Sequence, residues 1–95
     1  MTDLPSALPP LSTDLRLGNA PRGFVGIIQA LQPDIPGAAE TPHDLEQHLL
    51  EMGFTEGAQV EILHQGAIQR DPIAVRVDNI TIAIRRREAM AVVVK

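Results

Sequence analysis

Two short runs of alternating apolar residues, separated by only two residues, constrain this chain more than any other part of its sequence. Their apolar positions are Ile73, Val75 and Val77 in the first run, then Ile80, Ile82 and Ile84 in the second. Apolar side chains at every second position are typical of strands with one buried face. Asp78-Asn79, which separates the runs, tolerates the positive φ of a two-residue turn. The sequence therefore predicts a β-hairpin whose isoleucines and valines face a core.

Three further segments have the character of strands. Phe24–Leu31 is apolar with blurred alternation, and we expect Val25 and Ile27 to face inward. Ala58–His64 alternates clearly, and Met90–Val94 is a short apolar run suited to a closing strand. Between these segments we expect a loop at Gln65–Asp71 and a short turn at Arg86–Ala89.

One helix is predicted between the first two strands. Thr41 is suited to the N-cap, Pro42 to the first helical position, and Gly53 to the C-terminal end. Leu45, Leu49 and Met52 lie at i, i+4 and i+7, so they form one apolar stripe. Leu50 lies about 100° from Leu49 around the helix and is expected to be partly exposed.

Length and connection order limit the architecture. The 95 residues suit one small domain. Five short strands with one helix inserted after the first strand predict a mainly β fold, a small partly open barrel. The connections alone do not separate an SH3-like barrel from an OB-fold. Residues 1–10 contain three prolines and are expected to be irregular, residues 11–15 to form one helical turn, and residues 11–95 to form the domain. Leu11, Leu15 and Leu17 are expected to close one end of the barrel.

Charge and composition exclude several classes of function. The chain has 12 acidic and 8 basic side chains, a net charge of −4, which opposes binding to nucleic acid or anionic membranes. It contains no cysteine, and no apolar run long enough for a signal peptide or a membrane span, so we expect a cytoplasmic protein without membrane insertion.

Catalytic and metal-binding patterns are sparse. The chain has no phosphate-binding loop or nucleophile elbow, and its only serines, Ser6 and Ser12, lie in the N-terminal part. We therefore expect no enzyme activity and no cofactor. His48 and Glu51 lie at i, i+3 on the predicted helix, a spacing that can hold iron when further ligands converge. A solvated helix face with ordinary side chains is the simpler interpretation.

Candidate partner-binding residues are basic or apolar. A basic cluster is predicted from Arg70, Arg76, Arg85, Arg86 and Arg87. It could steer docking to an acidic partner, or form a solvated turn paired with Glu88. Leu50, and Leu63 outward on its strand, could belong to one apolar contact patch for a partner or a second copy, although single exposed leucines are common.

Several spaced blocks follow one another along the chain: Leu49-x-x-Met52-Gly53-Phe54-x-x-Gly57, Gly66-Ala67, Asp71-Pro72-Ile73, Ile82-Ala83-Ile84-Arg85-Arg86 and Glu88-Ala89. In this order they resemble the FeoA family. The opening Leu11-Ser12-x-x-Leu15-x-x-Gly18 is also similar to the family's. The chain departs from the family at Ala67–Arg70, which lacks an Ala-Pro before glycine, and in a longer loop at 32–42.

The resemblance implies an SH3-like barrel and an accessory role in bacterial ferrous iron uptake. It implies a partner, the cytosolic part of the membrane transporter FeoB, and neither nucleotide hydrolysis nor iron transport by the chain itself. A related barrel in iron-dependent repressors offers an alternative, a stand-alone regulatory domain acting in metal-responsive gene control.

Overall fold

The computed structural model describes residues 15–95, and their secondary structure is mostly strand. The elements in chain order are β1 (Leu15–Arg16), a 3₁₀ turn (Leu17–Asn19), β2 (Val25–Leu31), α1 (Pro42–Glu51), β3 (Gln59–Ile68), β4 (Asp71–Val77), β5 (Ile80–Ile84), α2 (Arg86–Ala89) and β6 (Val92–Val94). The predicted irregular segment 1–10 and most of the predicted turn at 11–15 lie outside the described residues. Leu15 belongs to β1, where the sequence predicted a helical turn.

The strands form one antiparallel sheet in the order β1-β6-β2-β3-β4-β5. The first half of β2, Val25 to Ile27, pairs with β3, and its second half, Ile28 to Leu31, pairs with β6. A register shift between Ile28 and Ala30 accompanies this change of partner. Because β2 pairs with β3 at one end and with β6 at the other, the sheet curves around a single apolar core, as the sequence predicted.

The inward face of β2 differs from the prediction by one residue. Val25 and Ile27 are 53% and 40% exposed, whereas Gly26 and Ile28 are buried. A side chain at Gly26 would collide with the ring of Phe24 and the carbonyl of Lys95. The position facing the core is therefore occupied by a glycine, which hides the alternation in the sequence.

The β4–β5 hairpin has the predicted register. Val77 is opposite Ile80 and Val75 is opposite Ile82, with Asp78-Asn79 as the turn and Asp78 at φ 52°. Burial decreases along β5, from Ile84 at 3% exposed through half-buried Ile82 to Ile80 at 61% exposed.

The predicted loop at Gln65–Asp71 is wrong, because β3 continues to Ile68 and β4 begins at Asp71. Gln69 and Arg70 alone form the turn, both with positive φ, as a tight hairpin requires. At Gly66, an added Cβ would overlap the carbonyl of Asp71 on the neighbouring strand. The glycine thus permits the close approach of the two strands.

Helix α1 follows its sequence signals. The Thr41 hydroxyl accepts a hydrogen bond of 3.1 Å from the Asp44 amide, and Gly53 beyond the C-terminus has φ 98°. Leu45 and Leu49 are buried against the barrel, with half-buried Met52 packed against the same core. Such a cap typically stabilises a helix by about 1 kcal/mol.

The barrel ends are closed by small elements. Leu17 in the 3₁₀ turn is fully buried, as expected for a residue that closes the barrel, whereas Leu15 is exposed. The predicted turn at Arg86–Ala89 is the four-residue helix α2, and it buries Ala89. Across the described part of the chain, neither helix has the length and apolar character needed to cross a membrane.

Candidate partner-binding surfaces

Leu50 projects from α1 at the edge of a shallow depression. Its side chain is 40% exposed, whereas its neighbour Leu49 is fully buried. Leu31 on β2 and Thr55 in the corner after α1 also line the depression, and Glu46 and Glu56 complete its wall. The surface therefore combines two leucines with two carboxylates. We call these five residues the Leu50 surface.

Leu63 does not line this depression. It lies on β3 between Ile62 and His64, where the pairing with β4 shifts register, and it is half-buried. The shared patch suggested for Leu50 and Leu63 is thus not seen as one depression. Leu63 remains a separate candidate.

The arginine cluster divides into residues with different environments. The Arg86 guanidinium donates to the carbonyls of Ala20 at 2.7 Å, Gly18 at 3.2 Å and Arg70 at 2.7 Å, and to Oε1 of Gln65 at 3.1 Å. These groups belong to the 3₁₀ turn, the segment after it and the β3–β4 hairpin. Arg86 therefore ties three parts of the chain together. Its guanidinium is thus engaged within the fold, and the role of Arg86 in partner binding stays a prediction.

The surroundings of Arg86 also act on its charge. Burial lowers the pKa of Arg86, the positive charge of Arg70 lowers it further, and Asp71 raises it. The Arg86 backbone N–H donates to Oδ1 of Asp71 at 2.8 Å. The guanidinium remains a charged donor, since arginine stays protonated in proteins. Hydrogen bonds from a charged donor are stronger than neutral ones.

Arg85 and Arg87 are exposed and flank a second small depression between α2 and the loop at 33–41. Ile35, Ala38 and Leu45 form its apolar part. Two carboxylates, Glu40 and Glu88, also line it, and Oε1 of Glu88 accepts a 3.4 Å hydrogen bond from the Arg85 amide. The longer loop noted in the sequence thus forms one wall of a surface with charges of both signs.

Arg70 lies at the tip of the β3–β4 hairpin and is exposed. Its neighbour Ile68 is 79% exposed, a feature that sequence reasoning did not select. The sequence did offer one signal for this exposed residue, namely an isoleucine inside the predicted loop. The tip of this hairpin therefore exposes one apolar side chain, Ile68, and one cation, Arg70. Neither lines the Leu50 surface.

His48 and Glu51 are both exposed on α1. Within residues 15–95, no three His, Cys, Asp or Glu side chains come together as a metal ion requires. Well-formed sites for transition metals need three or four converging protein ligands. The pair remains a sequence-based candidate without a third ligand in the described region.

Comparison with known proteins identifies close structural relatives. A model of the FeoA domain matches residues 15–95. A search of curated proteins finds no significant match. Stenotrophomonas maltophilia FeoA, solved with zinc and described as a prokaryotic SH3 domain protein, has 26% identity and a TM-score of 0.67 over 85% of this chain and 89% of its own.

Two further structures extend the comparison. Iron(II) transport protein A from Clostridium thermocellum has 28% identity and a TM-score of 0.69, over 85% of this chain and 44% of its own. T. acidophilum IdeR has 24% identity and a TM-score of 0.62, over 86% of this chain and 33% of its own. The predicted SH3-like barrel is confirmed by these likenesses together with the observed sheet.

Proposed function

The chain belongs to the FeoA family, and we propose on that premise that it is a non-enzymatic accessory protein of ferrous iron uptake. It acts at the cytoplasmic face of the membrane by binding the cytosolic part of a FeoB-like transporter. Iron is then the cargo of the partner, and the chain itself needs no cofactor.

The observation that carries this proposal is the family match over residues 15–95, which spans all the described structure. The S. maltophilia relative is described as a candidate activating factor of bacterial ferrous iron transport. Transfer of that role to this chain is supported by the shared barrel and by the similar length of the two proteins, since the likeness covers 89% of the relative. A protein of this size influences a transporter most directly through contact.

The Leu50 surface is the contact that we propose for the transporter. The partly exposed Leu50 is the apolar side chain that we propose at the centre of this contact, since exposed apolar surface can mark an interaction site. Arg85 and Arg87 line the second depression rather than the Leu50 surface. We propose them as separate cations that attract an acidic partner, since exposed charges act chiefly on the association rate. Leu63 and Arg70 are further candidates for contacts at the periphery of the proposed interface with the transporter.

The alternative role in gene control has weaker support. Likeness to T. acidophilum IdeR at 24% identity shows the fold alone, and this chain covers 33% of that protein. Likeness to a manganese-dependent transcriptional repressor at 16% identity also shows the fold alone, and this chain covers 41% of that protein. A regulatory domain would bind a repressor chain rather than the transporter, so one capture experiment separates the two roles.

The test is capture of the purified chain by the transporter. We expect binding to the isolated G domain or to the detergent-solubilised transporter, measured with and without nucleotide. Leu50→Gln should weaken binding about tenfold if Leu50 is an anchor, because interface anchors typically contribute more than 1 kcal/mol. Arg85→Ala and Arg87→Ala should chiefly slow association and reduce its dependence on salt.

Matched controls lie on the outer face of the sheet. Val25→Gln changes an apolar side chain of similar exposure, and Arg76→Ala removes an exposed arginine that forms a 3.0 Å ion pair with Glu61. Both should leave transporter binding unchanged. Failure to bind either form of the transporter, with capture of a repressor chain instead, would overturn the proposal in favour of the alternative.

A further inference from the structure

Among the described residues, strand β5 has an unpaired hydrogen-bonding edge. It is the last strand of the sheet and, within residues 15–95, pairs with β4 alone. Val77 opposite Ile80 closes the two-residue turn, so the residues at 80, 82 and 84 exchange hydrogen bonds with β4. The N–H and C=O groups of Thr81 and Ala83 therefore point away from β4. No other backbone hydrogen bond of Thr81 or Ala83 occurs among the described residues.

The side chains of β5 do not protect this edge. Natural edge strands usually carry a lysine, a proline or a bulge, because an open edge can pair with another chain. The five residues Ile80–Ile84 are uncharged and contain no proline, and their pairing with β4 has no register shift. Ile80 is 61% exposed and Ile82 is half-buried, so apolar side chains lie beside the unpaired backbone groups. Such an edge favours strand addition.

We propose that two copies of this chain pair antiparallel through their β5 edges, forming a continuous sheet across a two-fold axis. In the register that uses both free positions, Thr81 of each copy is opposite Ala83 of the other, and Ile82 is opposite Ile82. Each Thr81–Ala83 pair then exchanges two backbone hydrogen bonds. The isoleucines of the two strands meet on one face of the extended sheet.

Charges at the ends of β5 favour a second copy in this orientation. Asp78 and Asn79 precede the strand, and Arg85 follows it. The two-fold register brings the turn end of each strand, Asp78-Asn79, near Arg85 of the other copy. The Asp78 carboxylate accepts a 3.0 Å hydrogen bond from the Gln59 amide, so it contributes negative charge to that end without contacting the edge itself. Parallel pairing would place like charges side by side, which is destabilising. The edge is thus complementary to itself only when antiparallel.

The expected association is weak. A five-residue strand covers much less than the roughly 800 Å² per partner of a standard stable interface. We therefore expect a monomer–dimer equilibrium with a dissociation constant on the order of 100 µM rather than a permanent dimer. The test of this proposal does not involve the transporter, so its outcome is separate from that of the proposed function, although Arg85 takes part in both.

The test is sedimentation of the full chain over a concentration series from about 10 µM to about 1 mM. Wild type should shift from monomer to dimer, and the amides of Thr81 and Ala83 should exchange with solvent more slowly as concentration rises. Thr81→Lys, which adds a typical edge cation, should weaken dimerisation at least about tenfold. Ala83→Pro removes an outward N–H without breaking a bond to β4, and should act similarly.

The matched control is Thr55→Lys, which makes the same change at an exposed threonine on the Leu50 surface. It should leave dimerisation unchanged. A chain that stays monomeric throughout the series would overturn the proposal. So would a dimer that is unaffected by Thr81→Lys but lost in Thr55→Lys, since that result would place the contact at the Leu50 surface. Concentration-independent exchange at Thr81 and Ala83 would refute the pairing even if a variant fails to fold.

Discussion

At the scale of single residues, Arg85, Arg86 and Arg87 are identical in sequence but not in role. Arg86 has its guanidinium within hydrogen-bonding distance of three carbonyls and one side-chain oxygen, whereas its two neighbours are exposed. The acceptors are distant in sequence, up to 68 positions away at Gly18. No local pattern indicates which arginine of the three turns inward. The division of the cluster therefore depends on the tertiary fold.

Arg86→Met should lower the free energy of unfolding by about 2–4 kcal/mol, because it removes the guanidinium and leaves its acceptors, including the carbonyl of buried Ala20, without their donor. Arg76→Met is the matched control. Arg76 pairs with Glu61 on an exposed surface, where such a pair contributes at most about 1 kcal/mol.

Chemical denaturation of both variants measures the difference directly. Equal, small effects would mean that the hydrogen bonds of Arg86 contribute no more to stability than an exposed ion pair. In that case the hydrogen bonds of Arg86 would not distinguish its role from that of Arg85 and Arg87.

The β2 register shows a second limit of sequence reasoning at this scale. Val25 and Ile27 are the larger apolar residues, so hydrophobicity assigns them to the core. The structure buries Gly26 instead, because the Phe24 ring and a backbone carbonyl occupy the space beside it. A glycine at an inward position contributes no apolar signal. The outward valine and isoleucine then dominate the pattern.

At the scale of elements, the β4–β5 hairpin was predictable because its two strands and its turn carry agreeing signals. The isoleucines of β5 also provide a graded test of that register. Ile84→Ala should lower the free energy of unfolding by about 2–5 kcal/mol, since Ile84 is 3% exposed. Ile80→Ala should change it by less than about 1 kcal/mol, since Ile80 is 61% exposed. Equilibrium denaturation in urea checks both values.

Ile82→Ala should give an intermediate loss, because Ile82 is half-buried and packs against the core cluster. The essential result is that the loss of unfolding free energy decreases from Ile84→Ala through Ile82→Ala to Ile80→Ala. A larger loss of stability in Thr81→Ala than in Ile84→Ala would mean that the strand is displaced by one residue, since such a displacement turns every side chain to the other face.

The β3–β4 hairpin was not predictable in the same way. Gln69-Arg70 has none of the usual glycine, asparagine or aspartate signals, yet both residues adopt positive φ. The pairing of two long strands imposes that conformation on the turn. The depression at Leu50 has a similar explanation. The helical pattern identified Leu50, but Leu31 and Thr55 reach the same surface only through the barrel.

At the scale of the whole molecule, the barrel and helix α1 are held together differently. Barrel residues bond to distant partners, as when the Ile62 amide donates to Phe24 O at 2.9 Å and the Ile28 amide donates to Ala58 O at 2.9 Å. The backbone bonds of α1 are local to the helix and its cap. Leu45 and Leu49 are the residues of α1 that are buried in the core. Opening of the helix would therefore break no hydrogen bond between strands.

We predict that native-state hydrogen exchange separates these two units. Amides at Ile28 and Ile62 should exchange through the rarest openings, whereas amides in residues 46–51 should exchange at least about tenfold faster after correction for intrinsic rates. Leu49→Ala should increase exchange within α1 much more than in the barrel, since it removes an anchor of the helix alone. Equal protection of helix and barrel would mean that α1 opens only on global unfolding. The outcome also bears on partner binding. If α1 opens independently, a partner that binds Leu50 must hold the helix closed, and the conformational entropy lost in doing so lowers the affinity.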